Sequence, residues 1–350
     1  RVVEIRRETV DSVSLLLESV SGDTFNFKAG QYLTLRTTID GEEIRRSYSL
    51  CSAPHEGVLR VAVKEVPGGK FSEYANRVLE VGDVLESLLP DGRFTVDSGS
   101  NDKNHLGFAA GSGITPIISI IKDILHSSNE AKFALFYVNK ETASIIFKDE
   151  LADLKDTYLE RLQIFNLLTR EPVEIEIFGG RLDRARFDRI FSEVLSPSSF
   201  DVSYLCGPEE MILAGKEALL SSGMDESKIK FELFTTSKPA TEEKPQTLDS
   251  SSSSDDNVDV AIVLDGVTTT VNLKRSGKSI LDAALDAGLD APFSCQGGVC
   301  CSCRSKMTSG SVTMDNNYAL EPEEVERGYV LACQSHPVGD GPFVLDFDQP

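Results

Sequence analysis

Basic residues are scarce in this 350-residue sequence: 35 Lys and Arg stand against 56 Asp and Glu, a net charge of −21. That balance excludes nucleic-acid binding through the phosphates, which Lys and Arg drive. Long apolar runs are missing as well. None approaches the ~18 residues that a membrane helix needs. No charged-then-apolar leader opens the chain, which gives secretion no support and leads to the expectation of a cytoplasmic protein. Tryptophan is absent, but 40% of the residues are hydrophobic, enough for the cores of two or three domains. Disorder across the whole chain is therefore excluded.

A disulfide framework is excluded by how the cysteines are spread. Five of the 7 lie between Cys295 and Cys333, while Cys51 and Cys206 are isolated upstream. Such clustering in a leader-free chain points to metal binding and a reducing compartment.

Thr235 to Asn257 has no aromatic residue, two prolines and five consecutive serines. A segment like this has little to bury and is expected to be a flexible acidic linker, 235–257. A long loop inside one domain is the other reading, and structureless loops of that length are uncommon. Residues 1–100 show short alternating runs at Leu33–Leu35, Leu59–Val63 and Val84–Leu89. Asp40-Gly41, Pro67-Gly68-Gly69 and Asp91-Gly92 separate them. They predict an antiparallel barrel or sandwich with one helix over Ser72–Leu79. From 101 to 234 strands alternate with helices: strands at 106–110, 133–138, 162–168 and 202–206, helices at 117–125, 147–154 and 188–195. This predicts a parallel α/β sheet. Residues 258–350 open with a hairpin around Asp265-Gly266 and continue into a helix over Ser279–Ala287, a compact α+β unit.

Cys295-x4-Cys300-x2-Cys303, with Cys333 following after 29 intervening residues, is the plant-type spacing for a [2Fe-2S] cluster. Four thiolates hold two tetrahedral irons, and Gly297 and Gly298 let backbone N–H groups approach the sulfurs. Structural zinc is the rival. It ordinarily brings paired C-x2-C knuckles or a Cys-His set, whereas only Cys300 and Cys303 form such a pair and His336 is the sole nearby histidine. Cys301 does not fit the ligand spacing and is expected to be a small buried side chain.

Gly111-Ser112-Gly113-Ile114-Thr115-Pro116 joins a strand to a helix, where glycines and a helix N-terminus suit a pyrophosphate. A tight structural turn is equally compatible with it. Cys206-Gly207-Pro208 is a second strand-to-helix turn that a parallel sheet brings to the same crevice; taken alone, Cys206 reads better as a core cysteine. Arg46-Ser47-Tyr48-Ser49 offers a cation for a phosphate, a ring for stacking and a hydroxyl for a flavin edge. Gly69, Phe71 and Ser72 open a helix that could face a second phosphate. Each alone is also an ordinary polar turn.

In order, RxYS, GGxxS, GxGxTP, CGPxxM and C-x4-C-x2-C…C resemble the ferredoxin–NADP⁺ reductase superfamily fused to a plant-type ferredoxin, over essentially the whole chain. The resemblance implies an FAD-binding β-barrel (1–100), an NAD(P)-binding α/β domain (101–234) and a β-grasp ferredoxin domain (258–350). It implies that Arg46, Tyr48 and Ser49 hold the flavin, with Ser49 at its reactive edge. Gly69, Phe71 and Ser72 would form the FAD pyrophosphate loop, and Phe234 would cover the flavin. Gly111, Gly113, Thr115 and Pro116 would bind the dinucleotide, and Cys206, Gly207 and Pro208 would approach the nicotinamide. Ser49 and Cys206 would be the catalytic pair. Cys295, Cys300, Cys303 and Cys333 would be the cluster ligands. Thr169-Arg170 resembles the pair that holds the 2′-phosphate of NADPH, while an exposed surface arginine is equally compatible.

The implied activity is electron transfer from NADPH, with NADH as the other donor, through FAD and [2Fe-2S] to the oxygenase component of a multi-subunit monooxygenase. The tail resembles the reductase subunits of ring monooxygenases. A reductase for a Rieske-type ring-hydroxylating oxygenase is the alternative, and a non-catalytic redox or zinc-binding module is the reading from another class. Residues 258–350 carry 13 acids against 6 bases, a net of −7. The run Glu321, Glu323, Glu324 and Glu326 is expected to meet a basic patch on the oxygenase, or else to be a solvated acidic face. The linker is expected to let the ferredoxin unit swing between flavin and partner.

Overall fold

The computed structural model describes residues 1–97, 103–234 and 257–349. The chain divides into two compact units, Arg1–Phe234 and Thr235–Pro350. All of the expected linker except Asn257 lies outside the described residues, and Asn257 itself begins a strand. No helix among the described residues is long and apolar enough to cross a membrane.

The first unit opens with β1 (Val2–Thr9), β2 (Ser12–Leu17), β3 (Tyr32–Ile39), β4 (Glu42–Ser49), β5 (Leu59–Lys64), α1 (Lys70–Arg77) and β6 (Glu86–Ser87). They form two three-stranded antiparallel sheets, β1-β2-β5 and β4-β3-β6, bridged at Leu50 and Val61. This is the expected antiparallel barrel. Leu15, Leu33, Leu35, Leu50, Val61, Val63 and Phe71 fill it. Asp40 and Gly41 have φ of 52° and 80°. Two positive φ values are what a two-residue hairpin turn needs to match the strand twist. The expected strand Val84–Leu89 shrinks to Glu86–Ser87, because only Leu35 and Arg36 offer it partners. Val84, Leu88 and Leu89 stay exposed. The helix expected from Ser72 begins at Lys70, directly after the Gly69 cap, and ends at Arg77.

Next come β7 (Asn104–Ala110), α2 (Ile114–Ser127), β8 (Lys132–Asn139), α3 (Lys148–Thr157), β9 (Leu162–Leu168), α4 (Arg184–Glu193), β10 (Val202–Gly207), α5 (Glu209–Ser221) and β11 (Ile229–Leu233). The sheet is wholly parallel, in the order β11-β10-β7-β8-β9. The chain runs outward one way from β7 and the other way from β10. Between them lies the switch point, whose crevice at the strand C-termini is where such sheets bind ligands. Helix α2 presents a broad apolar face, with Ile117, Ile118, Ile120, Ile121 and Ile124 all buried, while Ser119, Lys122 and Asp123 lie on its other side. Helix α4 starts four residues before the expected Asp188, because the Asp183 carboxylate caps it by accepting from the Arg186 N–H at 2.9 Å.

The second unit contains β12 (Asn257–Leu264), β13 (Val267–Lys274), α6 (Ile280–Asp286), β14 (Arg304–Ser309), β15 (Ser311–Met314), α7 (Pro322–Glu326), β16 (Tyr329–Leu331), β17 (Ser335–Val338) and β18 (Phe343–Asp346). Its five-stranded sheet runs β13-β12-β18-β14-β16, with β12 and β18 parallel and β15 paired to β17. Asp265 and Gly266 turn the expected hairpin with positive φ, and the Asp348 carboxylate accepts from both of their N–H groups. Ser279 caps α6. This mixed sheet with one crossing helix is the ferredoxin-like fold expected.

Helix α5 approaches the sheet at Gly215, where a Cβ would sit 2.4 Å from Leu205 Cδ2 and 2.7 Å from Phe187 Cζ. Alanine is the better helix former by about 1 kcal/mol. Gly215→Ala should nonetheless lower stability by about 1–3 kcal/mol through overpacking. A urea unfolding midpoint equal to or above wild type would contradict this.

Candidate functional site

The flavin motifs come together at one end of the barrel. Arg46, Tyr48 and Ser49 end β4, with Arg46 exposed and Ser49 buried. The Tyr48 ring lies 5.2 Å from Phe71, the second residue of α1. Gly69 caps that helix, and a Cβ there would meet Ser72 Oγ at 2.5 Å and the Val66 carbonyl at 2.9 Å. Ser72 Oγ accepts from the Val66 N–H at 3.1 Å and donates to the Gly69 carbonyl at 3.0 Å. The loop before α1 is thus braced by the serine of the motif.

The dinucleotide motif lies at the switch point. Gly113 sits so close to β10 that a Cβ would be 2.2 Å from the Cys206 carbonyl oxygen. Gly207, at φ 156°, would likewise press a Cβ against Ala110 and Met211. These two glycines let the strand ends interlock. Gly111 differs: at φ 53° its missing Cβ faces open space, with only Lys64 Nζ 3.9 Å away. Thr115 Oγ1 donates to the Ser112 carbonyl at 3.0 Å, and Pro116 is buried in the first turn of α2. Pro208 caps α5 and is exposed. Thr169 and Arg170 follow β9, two strands from β7, and their N–H groups donate to the Asn139 and Lys140 carbonyls. Arg170 is exposed.

Two residues that motif reading missed complete this region. Glu232 lies on β11 opposite Cys206, and Ser49 Oγ donates to its carboxylate at 3.1 Å. Ser49 and Cys206 are thereby gathered around one carboxyl group. Burial, and secondarily that carboxyl, push the Cys206 thiol well up, so it stays protonated. The signal for Glu232 was its place two residues before Phe234. Lys64, at the end of β5, pairs with Asp11 at 3.6 Å and faces Gly111. Phe234 is half-buried against the α/β core.

In the second unit Cys295 and Cys300 shift one another's thiols, as do Cys303 and Cys333, so the four candidate ligands lie as two neighbouring pairs. Among the described residues no three His, Cys, Asp or Glu side chains converge on one point as a single small ion would require. Two pairs are the arrangement that two irons need. The neighbouring Cys300 thiol lowers the Cys295 thiol most, burial opposes it, and the backbone N–H groups of Gly297, Val299 and Cys300 lower it further, Gly297 donating at 3.4 Å. The Gln334 amide donates to Cys333 Sγ at 3.5 Å. Gly298 takes φ 76°, and a Cβ there would be 2.7 Å from the Asn316 carbonyl. The donor set and the N–H groups aimed at the sulfurs fit a thiolate-held cluster. Cys301 corrects the expectation: it is only partly buried, with its thiol 3.5 Å from the Ala319 carbonyl.

Burial pushes Glu232 up to about 8 from an ordinary 4.5, with the Ser49 hydrogen bond pulling the other way. Below 4.5 the carboxyl is protonated in folded and unfolded chains alike. As pH rises from 4.5 to about 8 only the unfolded chain gains the charge, so this group draws stability down across that window. Glu232→Gln should flatten the fall in stability over that range. Urea unfolding from pH 4.5 to 8.5 checks it, and parallel wild-type and variant profiles would contradict it.

Three family models match. An oxidoreductase FAD-binding domain covers residues 4–96, an oxidoreductase NAD-binding domain 108–217 and a 2Fe-2S iron–sulfur cluster binding domain 262–338. The chain is 37% identical over 350 residues to one of the subunits of 1,2-phenylacetyl-CoA epoxidase from Escherichia coli K12, covering 99% of this chain and 96% of that one. It is 33% identical to the ferredoxin reductase component of 3-ketosteroid-9-alpha-monooxygenase from Rhodococcus rhodochrous, covering 97% and 94%. Its fold matches phthalate dioxygenase reductase with a TM-score of 0.61 at 24% identity, over 99% of this chain and 97% of that one. With FAD, a nicotinamide dinucleotide and a [2Fe-2S] cluster as its cofactors, the chain belongs to the ferredoxin reductases that carry a C-terminal 2Fe-2S domain.

Proposed function

We propose that this protein is the NADPH-dependent reductase of a multi-subunit monooxygenase, and that its partner is an oxygenase of the phenylacetyl-CoA epoxidase type. The observation that carries the reading is the meeting of Ser49, Glu232 and Cys206, where the flavin motif of the barrel reaches the switch point of the sheet. Bound cofactors supply the chemistry, turning a two-electron hydride donor into a one-electron source. The chain's own residues bind and orient. Arg46 neutralises a flavin phosphate, Tyr48 and Phe234 supply rings for the flavin faces, and Ser49 offers its hydroxyl to the reactive edge. Gly69, Phe71 and Ser72 shape the second phosphate loop. Gly111, Gly113, Thr115 and Pro116 cradle the dinucleotide, with Lys64 opposite Gly111. Cys206, Gly207 and Pro208 border the nicotinamide. Cys295, Cys300, Cys303 and Cys333 hold the irons. The corresponding domains are 1–100, 101–234 and 258–350, joined by 235–257, and the protein works in the cytoplasm.

Thr169-Arg170 favours NADPH over NADH, since a phosphate dianion is best met by a guanidinium. An anaerobic titration with each donor tests the whole path. NADPH should bleach both the flavin band and the broad iron–sulfur absorption. Arg170→Ser should weaken NADPH about 10- to 100-fold and leave NADH unchanged, as for loss of one charge-assisted bond. A protein that oxidises NADPH without reducing its cluster would sink the reading.

The partner surface we assign to the ferredoxin unit is the acidic end of α7. Glu321, Glu323 and Glu326 are exposed there. Glu324 is not available to a partner, because it pairs with Arg304 at 3.2 Å and accepts from the Glu321 N–H at 3.1 Å. Electron transfer to the oxygenase should slow as salt rises, and Glu321→Gln/Glu323→Gln/Glu326→Gln should reduce that slope. Rates independent of ionic strength would refute the docking.

A further inference from the structure

We propose that Lys122, seconded by Ser119, is the pin that sets the spacing between the flavin motif and the dinucleotide helix, and so is a positioning residue for hydride transfer. The proposal rests on the reductase reading above. Lys122 lies in the third turn of α2 and is only 7% exposed. Its ammonium donates to the Cys51 carbonyl at 3.0 Å, lies 3.3 Å from Glu56 Oε1 and pairs with Glu150 of α3. Glu56 is itself held, accepting from the Ala53 N–H at 2.5 Å. One turn earlier, Ser119 Oγ donates to the Ser52 carbonyl at 2.6 Å.

The placement gives these bonds their meaning. Cys51 and Ser52 lie two and three residues beyond Ser49, on the same extended chain. Lys122 lies nine residues beyond Gly113, about 14 Å along a continuous helix. Two bonds therefore lock the chain leaving the flavin motif to the helix leaving the dinucleotide loop. Around them Ile117, Ile118, Ile120 and Ile121 of α2 share a buried cluster with Ala29, Cys51, Ala62 and Phe94, contacts that are non-directional and name no single register. A buried ammonium among carboxylates is a costly way to fill space, and its best-attested use is to fix register. Reacting atoms brought together from two lobes need that register, because a displacement of about 1 Å costs on the order of 100-fold in rate.

The test uses the full chain as purified, with Lys122→Met, Ser119→Ala and a compensated Lys122→Met/Glu56→Gln/Glu150→Gln. The compensated variant removes the two partly exposed carboxylates that would otherwise face each other without their shared cation, so its melting should return toward wild type. Flavin reduction by NADPH is followed by anaerobic stopped flow. The limiting rate should fall about 10- to 100-fold in both Lys122 variants, with a smaller loss for Ser119→Ala and little change in half-saturating NADPH. Amide exchange over residues 50–56 and 117–124 should quicken in the same variants, and this readout does not depend on turnover. A compensated variant with wild-type melting and a limiting rate within about twofold of wild type would overturn the proposal, as would unchanged exchange. A wild-type protein that takes no electrons from NADPH would mark failure of the reductase reading, and the exchange data would still decide whether Lys122 holds the two lobes in register.

Discussion

The chemistry of the first unit depends on two strand ends meeting with no side chain between them. Gly113 lies against the Cys206 carbonyl at a separation that excludes a Cβ, and Gly207 lies against Ala110 in the same way. A parallel sheet opens a crevice at its switch point, but the crevice is useful only if the adjoining strands stay close enough to share it. With β7 and β10 interlocked, the β10–β11 register sets Glu232 beside Cys206. The barrel then supplies Ser49 to the same carboxyl. A side chain at Gly113 would push β10 away and carry Glu232 off Ser49. The glycines are structural residues first, and the site follows from that packing. Gly111 alone keeps its open side toward a ligand, with a lysine opposite.

What was legible in the sequence was local. Alternation and Asp-Gly turns mark β3, β5, β12 and β13, because each turn needs two positive φ values that few residues adopt. The cysteine loop was legible for the same reason, with three of four ligands within nine residues. Val84–Leu89 shows the limit. It has the residues of a strand, but strand length is set by the neighbour, and β3 offers partners to only two of them. Glu232 and Lys122 show the other limit. Each reads as a polar residue that should face water. Each is turned inward by a partner far away in the chain, Ser49 for Glu232 and Cys51 for Lys122. Periodicity carries no information about those partners.

Charge in the second unit follows the same division between count and direction. The 13 acids and 6 bases of residues 258–350 are plain in the sequence, but a surface field depends on where they point. Three of the bases, Arg304, Lys306 and Arg327, gather around the buried ring of Tyr329, at 3.9, 5.5 and 5.6 Å from its centre. Arg304 also draws Glu324 inward, so the one glutamate of the run that is neutralised is the one that caps α7 from within. Arg304 and Arg327 thereby border α7 itself, Arg327 as its C-cap, so the field at the acidic run is set by how its glutamates and these cations are placed and not by net charge alone. Localisation matters more than total charge for a short-lived encounter, because screening limits the field to about 8–10 Å at ordinary salt. Acids close together on one face orient a partner before contact, and Glu323 and Glu326, exposed and three residues apart on one short helix, are neighbours of that kind.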